Sequence, residues 1–243
     1  MPIEMGRPKN PRDLYHACGG DVVTARPLLT GDVFEDVTII EADGTTRAIT
    51  AMVLDHPCSL RADGVTLVPR LAVAVVLPAE GAHWSGSFNR MFLPVPFPQT
   101  SKEVKACAAF FDQCYHVSPE QLHVGKRIAC LNPLGINILL QRRVKHFSRV
   151  TVEAFKFQEA NEGVYEEADL IEEWCLDRED DGLKEDEAMA ECVAWLREEL
   201  PDGRRRRVLL DDSQTRSPVR REARSYVRAL RQMAKEAPES DRS

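Results

Sequence analysis

The sequence predicts an α+β protein: an N-terminal small β-barrel with helices packed against it, followed by a helical, charged C-terminal extension. Three observations carry that reading. First, β-prone runs flank the hairpin signal Asp43-Gly44, and a third such run follows at Leu67–Pro78. Second, Ile136, Leu140, Val144 and Phe147 recur at helical spacing. Third, charge is segregated. Residues 1–150 carry 16 Lys+Arg against 14 Asp+Glu, residues 151–199 carry 4 against 18, and residues 200–243 carry 12 against 7. The expected divisions are a flexible arm over 1–25, the barrel with its helices over 26–150, an acidic-then-basic helical extension over 151–237, and a disordered tail over 238–243.

The elements follow in order. The first 25 residues are rich in Pro, Gly and basic residues, hence the arm. Val33, Val37, Ile39 and Ile40 make one strand, and Ala48–Leu54 its hairpin partner. "LVPRLAVAVVLP" alternates little and reads as a strand buried on both faces. "FNRMFLPVPFP" reads as an edge strand, because its prolines donate nothing to a ladder. Thr100 with Glu103 resembles a capping box, which predicts a helix through "EVKACAAFFDQCYHV". Ser118-Pro119 starts a short helix, "GKRIACL" is a short strand, and Asn132-Pro133 caps the long periodic helix. Beyond Thr151, Met189, Val193 and Leu196 mark one helix, "RRRRVLLDD" a short strand or linker, and Ser217-Pro218 the start of the last helix.

A 243-residue chain with 43% hydrophobic residues can fill a core. It holds no run of about 20 apolar residues, and its N-terminus lacks the apolar stretch of a secretory signal. Seven cysteines, an odd count, read as reduced thiols. A cytoplasmic protein with no membrane partner is expected. No glycine-rich phosphate loop, paired-carboxylate motif or nucleotide fingerprint is present, which disfavours kinases, nucleotide hydrolases and dehydrogenases; no cofactor is expected.

Four groups of residues are candidates for chemistry. In "AMVLDHPCSLR", an extended His56 and Cys58 would project from one side, where an imidazole lowers a thiol pKa. The plainer reading buries Cys58 and leaves His56 capping a strand end. Cys107, Cys114, His116, His123 and Cys130 form a Cys/His series, but on one helix Cys107 and Cys114 would stand about 10.5 Å apart, too far for one zinc ion. No metal site is expected. Arg142, His146 and Arg149 share a helical face, opposite Leu140, Val144 and Phe147, that suits phosphate contacts or the acidic segment behind it. Arg220, Arg224, Arg228 and Arg231 line a second basic face with the same two readings.

The ordered features of residues 28–78 resemble the small barrel of PemK/MazF-like toxins. "TGDVFEDV" is similar to their opening strand, "ITAMVLDH" to their second and "RLAVAVVLP" to their third. The resemblance implies an SH3-like barrel, dimerisation and cleavage of RNA, with Arg47, His56 and Arg61 near the phosphate. Two positions depart from the pattern: Ala48 follows Arg47 where those toxins have a proline-led strand, and Leu77-Pro78 stands where they place Ser or Thr. The resulting expectation is a toxin-like or defence-related protein that binds nucleic acid, RNA ahead of DNA, with ribonuclease activity the part those positions do not carry. Its partners would be RNA or DNA, an antitoxin or other protein, and a second copy of itself. The alternative is a non-enzymatic interaction protein acting through its charged helical extension.

Overall fold

The computed structural model describes residues 4–61, 66–86, 88–98 and 106–236. It is a mixed helix and sheet protein. Seven antiparallel strands are β1 (Tyr15–Cys18), β2 (Val33–Ile40), β3 (Thr46–Val53), β4 (Leu71–Ala79), β5 (Arg90–Pro94), β6 (Ala106–Val117) and β7 (Lys126–Leu131). The helices are α1 (Pro119–Val124), α2 (Pro133–Ser148), α3 (Ala154–Glu179), α4 (Glu185–Arg197), α5 (Arg206–Leu209) and α6 (Ser213–Glu236). The chain divides into two units, Met1–Thr24 with Leu28–Asn161, and Ala25–Pro27 with Glu162–Ser243.

In the first unit the strand order is β1-β7-β2-β3-β4-β6-β5, so β1 and β5 are edges and the hydrogen bonding does not close into a barrel. The closed barrel expected from sequence is corrected accordingly. The sheet is nonetheless strongly coiled. Tyr115 on β6 is in register with Val73 on β4, and Val73 with Val53 on β3. Arg47 lies six residues up β3 from Val53, about 20 Å along a flat strand, yet its guanidinium lies 3.4 Å from the Tyr115 hydroxyl. Inside the curl sit Val37, Ile39, Ile49, Val53, Val73, Val117 and Leu122.

Asp43-Gly44 makes the β2–β3 turn, where Gly44 adopts φ 84° and Asp43 accepts from the Thr45 backbone and hydroxyl. β5 is an edge strand, as its prolines require. Two expectations fail. The helix expected through "EVKACAAFFDQCYHV" is β6 from Ala106 onward, paired with both β4 and β5; Thr100 and Glu103 lie outside the described residues. Alternating contacts on two neighbouring strands outweigh the helical propensity of an alanine-rich run. Nor is the N-terminal segment a loose arm. Asn10 caps a 3-10 turn over Pro11–Leu14, Leu14 is buried, and β1 pairs with β7. A Cβ on Gly135 would stand 2.4 Å from the Leu14 carbonyl, so glycine lets α2 approach this segment.

The second unit is helical. Trp174 on α3, Trp195 on α4 and Tyr226 on α6 meet with ring centroids 5.4–6.1 Å apart. α6 starts a turn before the expected Ser217, because Asp212 accepts from the Gln214 backbone at 2.9 Å and caps the helix there. Pro218 therefore lies inside the helix. "RRRRVLLDD" forms the short α5 rather than a strand.

Candidate nucleic-acid interface

α2 begins where Asn132 accepts from the Gly135 backbone at 3.0 Å, with Pro133 in the first turn. Residues 135–142 are all buried, so this half of the helix has no solvent face. Its polar side chains are met by protein instead. Asn137 donates to Gln158 and Gln141 donates to the Val152 carbonyl, each at 2.7 Å.

Arg142 is 0% exposed. It donates to the Trp84 carbonyl at 2.7 Å and the Arg90 carbonyl at 3.5 Å, and its guanidinium lies over the rings of Trp84 and Phe92. Burial pushes its pKa down to about 10, which still leaves it charged at neutral pH. The expected solvent stripe Arg142/His146/Arg149 is thus corrected at its first member: Arg142 anchors the segment before β5.

Around that anchor, cations and aromatic rings alternate. Arg149, in the left-handed region at φ 63°, ends α2 and lies 5.2 Å over the Phe88 ring. Arg90 lies 4.6 Å over Phe110. His146 meets Phe147 edge-on at 4.8 Å and Phe111 at 5.9 Å. Phe147 was expected on the apolar face and is 65% exposed instead. A cleft of about 320 Å³ beside Arg90 is lined by Pro78, Glu80, His83, Phe92 and Phe110 among others. Sequence reasoning missed this cluster, although His83, Trp84, Phe88 and Arg90 interleave aromatic and cationic residues within eight positions.

Of the other candidates, Arg47 stands at one end of β3, and His56 and Arg61 flank the 3-10 turn that follows its other end. Arg47 pairs with Glu41 at 2.7 Å, near the start of β3. His56 lies beyond the other end of that strand, and Arg61 donates to the Leu28 carbonyl at 3.0 Å. Pro57–Ser59 forms a 3-10 turn that His56 caps, its Nδ1 accepting from the Cys58 backbone at 3.3 Å. The turn points Cys58 outward, so the thiol expected inside is exposed, 3.7 Å from Asn161 Oδ1. Burial, and then the Arg143 guanidinium, hold the His56 pKa below its ordinary value. Arg143 donates to the Leu54 carbonyl. Cys107 and Cys114 lie on a strand rather than a helix, and among the described residues no group of three or more His, Cys, Asp or Glu is arranged to hold a metal ion.

The basic face of α6 meets acidic groups of its own unit. Arg220 pairs with Glu166 and Glu173, each at 2.6 Å, Arg224 with Glu173 at 3.3 Å, and Arg231 with Asp181 at 2.9 Å. Arg228 has no ion-pair partner among the described residues. Among the described residues no helix is long and apolar enough to cross a membrane. No protein family, curated protein or solved structure matches the chain.

Proposed function

We propose that this is a toxin-like or defence-related protein whose first unit binds single-stranded nucleic acid, RNA in preference to DNA. The observation that carries the reading is the pairing of cations with rings at Arg149/Phe88 and Arg90/Phe110, together with Phe147, whose ring α2 leaves exposed. Single strands bind to surfaces that combine phosphate-attracting cations with rings on which bases stack. The coiling of the sheet supports the small-barrel resemblance of residues 28–78. The separation of Arg47 from His56 and Arg61 speaks for binding rather than cleavage.

The test is fluorescence anisotropy with labelled 12-residue poly(U), poly(dT) and a duplex across a salt series. Binding should favour poly(U), and Arg149→Ala should lower the salt slope by about 0.7 for the one phosphate contact removed. Phe147→Ala should weaken binding to single strands with the salt slope unchanged. Absence of binding at low salt would overturn the reading.

A second reading, an interaction protein acting through the helical extension, is favoured by the pairing of Arg220, Arg224 and Arg231 with carboxylates. Cations already held by protein carboxylates are poor phosphate ligands. Under this reading the helical unit offers its remaining surface to protein.

A further inference from the structure

We infer, resting on the reading that the first unit binds single strands, that the cleft beside Arg90 takes one base of the strand and that this base is guanine. The cleft holds about 320 Å³, at the small end of the roughly 300–1,000 Å³ range of ligand pockets. Such a volume suits one planar base. Phe92 and Phe110 give it apolar walls, and its polar groups are Glu80, His83 and Arg90.

The fold sets these groups in place. Arg90 on β5 is in register with Phe110 on β6 and lies 4.6 Å over its ring. Glu80 follows the last residue of β4, and the connection from there to β5 carries His83 and Trp84. Trp84 meets Phe92 edge-on at 5.5 Å, and its carbonyl accepts from the buried Arg142 at 2.7 Å. The connection is thereby tied to β5 and α2, so the cleft is formed before a ligand arrives. Arg90 Nε donates to Asn89 Oδ1 at 3.2 Å, but its terminal nitrogens have no hydrogen-bond partner among the described residues. Glu80 is exposed and has no ion-pair partner among the described residues.

Opposite charges on one cleft select the ligand. A phosphate drawn by Arg90 is repelled by Glu80, and a cation meets the reverse. A neutral group with acceptors on one edge and donors on another satisfies both. Guanine is such a group. Its O6 and N7 accept from an arginine fork, while its N1–H and 2-amino group donate side by side to a carboxylate, which only accepts. Adenine and cytosine set a ring acceptor beside their amino group, and uracil has a single N–H between two carbonyls. None of the three gives both oxygens of Glu80 a donor.

Fluorescence anisotropy of the full chain, with 12-residue poly(U) and with the same strand carrying one central G, A or C, tests the assignment. The G strand should bind about tenfold tighter than the A and C strands, as one base-edge pair discriminates. Inosine in place of G should lose part of that gain, because it lacks the 2-amino group. Glu80→Gln should erase the G preference, since its amide sets a donor against a guanine donor, and far-UV circular dichroism checks that the variant is folded. Equal binding of the G, A and C strands, or a G preference that survives Glu80→Gln, overturns the inference and leaves strand binding standing. If no strand binds, strand binding fails, and calorimetric titration with guanosine monophosphate decides the cleft. Binding that Glu80→Gln abolishes and adenosine monophosphate does not share upholds a guanine site for the free nucleotide; no binding sinks it.

Discussion

Arg220 on α6 and Glu173 on α3 lie 2.6 Å apart, nitrogen to oxygen, and the other terminal nitrogen of Arg220 holds Glu166 at the same distance. Charges that stand in separate blocks along the sequence meet across one helix pair. Arg216 to Glu162 at 3.1 Å and Arg231 to Asp181 at 2.9 Å extend the row in both directions. A formal net charge of −7 therefore says little about partners, because much of the acid and base is mutually spent.

Arg220→Ala should lower the stability of the helical unit by about 1 kcal/mol, the upper range for partly exposed pairs. The loss should shrink in 0.5 M salt, and binding of poly(U) should be unchanged. Urea titrations at two salt concentrations read the first effect and anisotropy the second. Weaker poly(U) binding by this variant would return α6 to the nucleic-acid interface.

Arg26 predicts a larger effect. Its side chain is 2% exposed and is held by Asp169 at 2.8 Å and Glu172 at 2.6 Å. Arg26→Met would take the guanidinium away from Glu172, itself mostly buried, at a cost of about 3 kcal/mol. The double variant Arg26→Met/Glu172→Gln should recover part of that loss in urea titrations. A cost below about 1 kcal/mol for the single variant would mean that the pair is solvated.

The seven thiols should divide by burial. Cys58 and Cys114 are exposed, Cys18 is half-buried, and Cys107, Cys130, Cys175 and Cys192 are buried. Burial also pushes the Cys175 pKa up to about 12 and raises that of Cys192, and the thiolate is the reactive form. Labelling of native protein with a chromogenic disulfide should take Cys58 first and Cys114 next, with the four buried thiols reacting only on unfolding. Peptide mapping of the labelled sites decides. Native labelling of Cys192 would mean that the helical unit opens readily.

Much of this was legible in the residues, and the misses have physical reasons. Asp43-Gly44, Asn132-Pro133 and Ser118-Pro119 are local signals, whose turn and capping chemistry is complete within a few residues. β6 was not legible, because its state depends on β4 and β5, which are distant partners in sequence. Arg142 misled for a related reason. A helical face predicts solvent only when the helix has a solvent side, and residues 135–142 have none. The Arg149/Phe88 and Arg90/Phe110 contacts join segments up to 61 residues apart, which no spacing rule connects.

His56 yields a prediction about pH. Burial, and then Arg143, depress its folded-state pKa, whereas in the unfolded chain it keeps a value near 6.5. Above pH 7 the imidazole is neutral in both states, and its contribution to stability is fully present. As pH falls below about 6.5 the unfolded chain takes up a proton that the folded protein resists, so stability drops until the folded pKa is passed. The comparison variant is His56→Asn, since asparagine also caps a helical turn and can accept from the Cys58 backbone in place of Nδ1. Wild-type protein should lose more stability than His56→Asn between pH 7.5 and 5, by an amount that grows as pH falls through that window. The carboxylates that titrate at lower pH are common to both proteins and cancel in the difference. Parallel stability profiles across that range would show that the imidazole is solvated in the folded protein, and that the corner holding it against Arg143 opens in solution.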